Sequence, residues 1–135
     1  MKPTRVLVVD DNPVNLKLAV SVLESAGYEI FQANDAVEAM ASVRRSPPEL
    51  ILMDLAMPGV DGLTLTRRLK SDPATQPIRI VALTASAMKG DDAKALDAGC
   101  DGYISKPIDT RKLPEQVAGF LGRIERSEVK NERTL

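Results

Sequence analysis

Five polar residues of reactive type stand at the ends of four strand-like runs in this chain: Asp10, Asp11, Asp54, Thr84 and Lys106. Val6-Leu7-Val8-Val9 precedes the first pair, Leu50-Ile51-Leu52-Met53 precedes Asp54, and the run from Ile78 to Leu83 precedes Thr84; Asp101 to Ser105 precedes Lys106. Taken singly, each fits ordinary structure. Acidic residues before a helix cap it and favour its dipole, Asp54 can cap a turn, a Thr hydroxyl can close one, and Lys106 can form a surface ion pair worth little. Taken together they do more. Carboxylates gathered at one crevice repel one another unless something neutralises them, and a single Lys is too little. An all-oxygen set without His or Cys suits a hard divalent cation such as Mg²⁺. Such an ion beside Asp54 would offset the charge of an approaching phosphoryl donor. An ionised Asp is itself a nucleophile that yields an acyl phosphate, and Thr84 and Lys106 would then bind the added oxygens.

The elements that must bring these residues together alternate along the chain. The first apolar run is a strand, followed by a helix from about Pro13 to Ala26 with Asn12 as N-cap, Pro at the first helical position and Gly27 as its stop. Glu29 to Ala33 reads as a short second strand, and Asp35 to about Ser46 as a helix. Its apolar stripe is Ala36, Val37, Ala39, Met40 and Val43, ended by Pro47-Pro48. The third strand, Leu50 to Met53, is apolar at consecutive positions, the pattern of a parallel strand covered on both faces. Met57-Pro58-Gly59 and Asp61-Gly62 mark the turn beyond it. Helices are expected from about Leu63 to Ser71, Lys89 to Ala98 and Thr110 to Ile124, with strands at Ile78 to Leu83 and Asp101 to Ser105. This alternation predicts an α/β fold, (βα)₅, a doubly wound parallel five-stranded sheet with helices on both faces. The expected strand order is 2-1-3-4-5, which makes strands 1 and 3 neighbours and places their terminal carboxylates at the topological switch point.

Bulk properties narrow the classes. A chain of 135 residues suits one domain, expected over 4–124, with the charged stretch 125–135 as a tail or linker stub. Net charge is −1, with the 18 Lys and Arg scattered, so there is no electrostatic footprint for nucleic acid or an anionic membrane. No apolar run approaches the roughly 20 residues that span a bilayer, and the N-terminus has no signal-like apolar region; the expected location is the cytoplasm. The lone Cys100 is read as a small buried apolar residue, and the absence of His removes His-based catalysis and His metal sites.

The ordered set Val8-Val9-Asp10-Asp11-Asn12, Asp54 with Met57-Pro58 and Asp61-Gly62, Leu83-Thr84-Ala85, Gly99-Cys100-Asp101 and Tyr103-Ile104-Ser105-Lys106-Pro107 resembles the receiver domains of two-component response regulators, over about 4–124. The segments around Thr84 and Tyr103 are similar to stand-alone receivers of the DivK type and to receivers attached to hybrid histidine kinases. The resemblance implies a flavodoxin- and CheY-like fold and a phosphoacceptor role for Asp54. It implies Mg²⁺ held directly by Asp11, Asp54 and the backbone carbonyl of Ala56, with Asp10 acting through water. It further implies Thr84 and Tyr103 as a switch pair, Lys106 as the phosphoryl-binding cation, and a cis bond before Pro107, a form taken by only about 5% of X-Pro bonds. The implied donor is a histidine kinase or phosphotransfer protein. The implied output is a downstream protein bound on the 88–124 surface, the fourth helix, fifth strand and fifth helix, where homodimerisation is also common in such domains. No turnover enzyme is expected. Ala56 and Ser86 stand where many relatives carry longer polar side chains, so the path of an attacking water is less screened there and has no side-chain group to orient the water.

Three rivals make different demands. A phosphohydrolase using an aspartyl-phosphate needs a second acid two residues after the nucleophile, and Ala56 occupies that place. A flavodoxin-like cofactor binder needs a Ser/Thr/Gly-rich phosphate loop where Asp10-Asp11 stands. A receiver that serves only as a scaffold has no need of the whole acidic, hydroxyl and Lys set.

Overall fold

The computed structural model describes residues 3–55, 62–84 and 90–122. Ten elements alternate: β1 (Arg5–Val9), α1 (Pro13–Ser25), β2 (Glu29–Ala33), α2 (Ala36–Arg45), β3 (Leu50–Asp54), α3 (Gly62–Ser71), β4 (Arg79–Thr84), α4 (Asp91–Ala98), β5 (Gly102–Ser105) and α5 (Leu113–Leu121). The strands form one parallel sheet in the order β2-β1-β3-β4-β5, as expected from the sequence.

Strand periodicity divides the core. Successive side chains leave opposite faces of a strand, so Leu7, Val9, Ile51, Met53, Ile80 and Ala82 pack on one side with α2, α3 and α4. Val6, Val8, Leu50, Leu52, Val81, Leu83 and Ile104 pack on the other with Leu16, Ala19 and Leu23 of α1 and Leu113 and Val117 of α5. Every residue of β3 is buried, which explains its unbroken apolar run.

Helix ends follow local chemistry. Asn12 Oδ1 accepts from Val14 N and Asn15 N at 2.9 and 3.2 Å, which starts α1 directly after Asp11. Asp35 Oδ1 accepts from Glu38 N (2.8 Å) while Glu38 Oε1 accepts from Asn34 N (2.6 Å), a reciprocal cap on α2. Gly99, at φ +108°, ends α4 in the left-handed region that a side chain disfavours.

Several expectations shift. Val37, placed on the buried stripe of α2, is 78% exposed; Ala36, Ala39, Ser42 and Val43 are the buried positions, and Val37 falls one residue, about 100°, around the helix from Ala36. Ser46 is the C-cap of α2 rather than part of it. β5 begins at Gly102, one residue later than expected, and β4 at Arg79. The fifth helix starts at Leu113 rather than Thr110, because Asp109 organises a separate turn first: its Oδ1 accepts from Arg111 N at 3.0 Å and its carbonyl from Lys112 N and Leu113 N. Pro114 then sits in the first turn, where a missing N–H costs nothing. The expected end at Ile124, the tail 125–135, the Lys89 start of the fourth helix and the turn at 57–61 lie outside the described residues.

Candidate functional site

Register carries the polar residues to one edge. Val9 pairs with Met53, Asp54 with Leu83 and Thr84 with Ser105, so Asp10, Asp11, Asp54, Thr84 and Lys106 all emerge at the C-terminal ends of the strands. This is the crevice where the strand order reverses between β1 and β3. Asp10, Asp54 and Thr84 are buried and Asp11 is exposed.

Carboxylate oxygens of Asp10, Asp11 and Asp54 lie within 4.8 Å of one another. Lys106 Nζ stands 3.2 Å from Asp54 Oδ1 and 3.4 Å from Asp10 Oδ2. The Lys106 peptide is tied to β4, its N–H donating to Thr84 O at 2.8 Å, and the Lys106–Pro107 bond is cis. Asp10 is held from two sides: its N–H donates to Ala33 O at 3.1 Å and its Oδ1 accepts from Asn12 N at 2.9 Å. Its Oδ2 is buried and makes no hydrogen bond. Burial pushes the Asp10 carboxyl above its ordinary range; the Asn12 N–H opposes this, the nearby Asp54 charge adds to it, and Lys106 opposes it.

The charge count and the donor types converge on a cation. Among the described residues the Lys106 ammonium pairs with two of the three carboxylates, Asp10 and Asp54, and the buried Asp10 Oδ2 has that ion pair but no hydrogen bond, which is costly. Asp11, exposed beside two buried acids, leaves the cluster open to solvent. This donor set fits a hard divalent ion that keeps part of its water shell, as Mg²⁺ does. Of the sequence-derived residues, Tyr103 stands apart from the cluster on β5, 39% exposed, and Ala56 lies outside the described residues.

Two features were not read from the sequence. The Asn12 backbone N–H, hydrogen-bonded to Asp10, belongs to a residue recognised only as a helix cap. Gly62, read as turn punctuation, packs directly against the back of Asp54; a Cβ there would stand 2.5 Å from the Asp54 carbonyl oxygen.

Comparison with known proteins agrees with this geometry. The family described as response regulator receiver domain matches residues 6–118. The polar-differentiation response regulator DivK of Brucella anthropi is 41% identical over 120 residues, covering 89% of this chain and 98% of that protein. A putative response regulator from Chloroflexus aurantiacus superposes with a TM-score of 0.85 at 31% identity, covering 90% of this chain and 99% of that one. The receiver domain of a sensor histidine kinase from Pseudomonas aeruginosa, solved with a magnesium ion coordinated in its active-site cleft, gives a TM-score of 0.82 at 33% identity, over 90% of this chain and 99% of the other. With this sheet order, this acidic crevice and these relatives, the chain belongs to the response regulator receiver domain family of two-component signalling.

Proposed function

We propose that Asp54 accepts a phosphoryl group and that the resulting charge changes which protein the domain binds. The observation that carries this reading is the Lys106 ammonium 3.2 Å from Asp54 Oδ1, beside two further carboxylates. An Asp54 oxygen attacks phosphorus and forms the O–P bond. The bond from phosphorus to the donor's nitrogen or oxygen breaks, and its electron pair leaves with the donor. The attacking carboxylate is already ionised, so the protein supplies no general base. Asp11, Asp54 and the Ala56 carbonyl, with Asp10 through water, would hold Mg²⁺, which would supply charge neutralisation for the phosphoryl oxygens. Lys106, 3.2 Å from Asp54 Oδ1, shares that role, and the Thr84 hydroxyl donates to a phosphoryl oxygen.

The donor in this reading is a histidine kinase or phosphotransfer protein, and the domain is a phosphoacceptor rather than a turnover enzyme, working in the cytoplasm. Phosphorylation adds roughly −1.5 to −2 charge at Asp54. Thr84 moves toward it, Tyr103 turns inward from its exposed position, and the 88–124 surface changes its affinity for a downstream protein or a second copy of the chain. Acetyl phosphate with Mg²⁺, followed by intact mass, tests the first step: native protein gains one phosphoryl group and Asp54→Asn gains none. Phosphorylation of Asp54→Asn to the native extent would remove Asp54 from the role.

A further inference from the structure

We infer that Gly62 is a positioning residue for Asp54, and that the buried Thr66 hydroxyl holds it in that role; the inference rests on the reading of Asp54 as phosphoacceptor. Gly62 is the first residue of α3 and is buried. Its φ is not in the left-handed region, which among the described glycines holds only Gly27, Gly90 and Gly99. Glycine is therefore required here by space rather than by backbone conformation. A Cβ at this position would lie 2.5 Å from Asp54 O and 3.1 Å from Leu55 Cα. Carbon–oxygen contacts in packed backbones settle at about 3.3–3.6 Å. Met53 Cγ, also at 3.1 Å, is a side-chain atom that could shift, but the nearest obstruction, Asp54 O, and Leu55 Cα are backbone and cannot swing aside. The strand has little room to retreat either, because Leu55 N donates to Leu83 O at 3.3 Å at the end of the β3–β4 ladder. Without a Cβ, the N-terminus of α3 seats directly behind the residue that carries the reactive carboxylate.

A buried relay fixes the depth of that seat. Thr66, fully buried one turn along α3, donates its hydroxyl to Gly62 O at 2.7 Å. Cys100 Sγ lies 3.8 Å from the same hydroxyl, reaching across from two residues past the end of α4. The Gly62 peptide is thus held on one side by Thr66 and met on the other by Asp54. Any side chain at 62 must displace α3 or β3 by about 0.8 Å to restore an ordinary contact. A misplacement of about 1 Å at a reacting group can cost about 100-fold in rate.

The test uses the full chain with Gly62→Ala, Thr66→Val and Thr66→Ser. Phosphorylation rate constants are measured with acetyl phosphate at saturating Mg²⁺, beside thermal unfolding of each variant. Thr66→Val keeps the buried volume and loses the hydroxyl; Thr66→Ser keeps the hydroxyl and loses a buried methyl. The expected rates are native ≈ Thr66→Ser, with Thr66→Val about 3-fold slower and Gly62→Ala at least about 10-fold slower. That order separates positioning from stability, because Thr66→Ser is then destabilised yet fast. Rates within twofold of native in Thr66→Val and in folded Gly62→Ala, or rates that follow melting temperature with Thr66→Ser slowest, overturn the inference. If Gly62→Ala does not fold, the Thr66 pair decides. If native protein takes no phosphoryl group, the phosphoacceptor reading fails instead. The Asp54 side-chain carboxyl ¹³C resonance then decides the positioning claim: it moves in Thr66→Val and not in Thr66→Ser if the claim holds, and is unmoved in both if it does not.

Discussion

The Lys106 Nζ atom stands 3.2 Å from Asp54 Oδ1 across the crevice, on a residue whose backbone N–H is bonded to Thr84 O at 2.8 Å. The positive charge is therefore anchored to the end of β4, and its tip reaches the end of β3. It also stands 3.4 Å from Asp10 Oδ2, so one ammonium group serves two buried acids. Neither acid is fully compensated by it, and the behaviour of the site in solution follows from that shortfall.

Replacing Lys106 with Met removes the ammonium group that meets both Asp10 and Asp54. Metal-free protein should lose about 1–3 kcal/mol of stability, the usual cost of leaving a buried polar group unsatisfied. Mg²⁺ should recover part of that loss. Urea unfolding of native and Lys106→Met protein, with chelator and with Mg²⁺, measures both quantities.

Mg²⁺ should raise stability because it binds the folded crevice and not the dispersed carboxylates of the unfolded chain. At 100 times its dissociation constant a ligand of this kind adds about 2.7 kcal/mol. Asp11→Asn and Asp54→Asn should each reduce the gain, and a thermal melt of each variant across a Mg²⁺ titration reads it directly.

The pH dependence of the metal-free protein should carry the mark of Asp10. Its folded carboxyl binds protons more tightly than the ordinary value of 3.8, chiefly through burial. Above 3.8 the folded state therefore holds a proton that the unfolded chain has released. Its contribution to stability is present at low pH and is lost as pH rises through the raised value. Asp10→Asn removes that loss, so the metal-free variant should be more stable than native protein at neutral pH, with a flatter pH profile above pH ~4. The same variant should bind Mg²⁺ about 10–100-fold more weakly. Urea unfolding across pH in chelator, together with a Mg²⁺ titration, checks both halves.

Asp101 should matter for stability and not for phosphoryl transfer. Its Oδ2 accepts from Lys70 Nζ at 3.0 Å and from Ile80 N at 2.8 Å, closing the entrance to the β4–β5 ladder away from the reactive edge. Asp101→Ala should cost about 1–3 kcal/mol by stranding the Ile80 N–H, with the phosphorylation rate within twofold of native. Hydrogen exchange at the Ile80 amide should rise with it.

Thr84→Ala should uncouple the added charge from the surface. The variant should still take up phosphoryl groups from acetyl phosphate, yet show a much smaller change in partner binding, or in Tyr103 fluorescence, than native protein. Tyr103, 39% exposed, has room to report an inward turn. A response equal to the native one would remove Thr84 from the route.

The fold was legible in the sequence because its signals are local. Unbroken apolar runs such as Leu50–Met53 reflect burial on both faces, and Asn12, Gly27, Pro47 and Gly99 punctuate the helices within a turn of themselves. The acidic, hydroxyl and Lys positions were legible for the same reason: strand ends can be read, and a parallel sheet sends all of them to one edge. What the tertiary structure alone decided is distance. That Val37 turns to solvent while Ala36 and Ala39 turn inward depends on where α2 lies against the sheet. That Asp10 Oδ2 is left without a hydrogen bond, that Lys70 meets Asp101 31 positions away, and that Gly62 touches the back of Asp54 all depend on how separate elements pack. Residue types and spacing constrain what a segment does along its own axis, while contacts between segments are set by how the whole core fills its volume, and no local pattern encodes that.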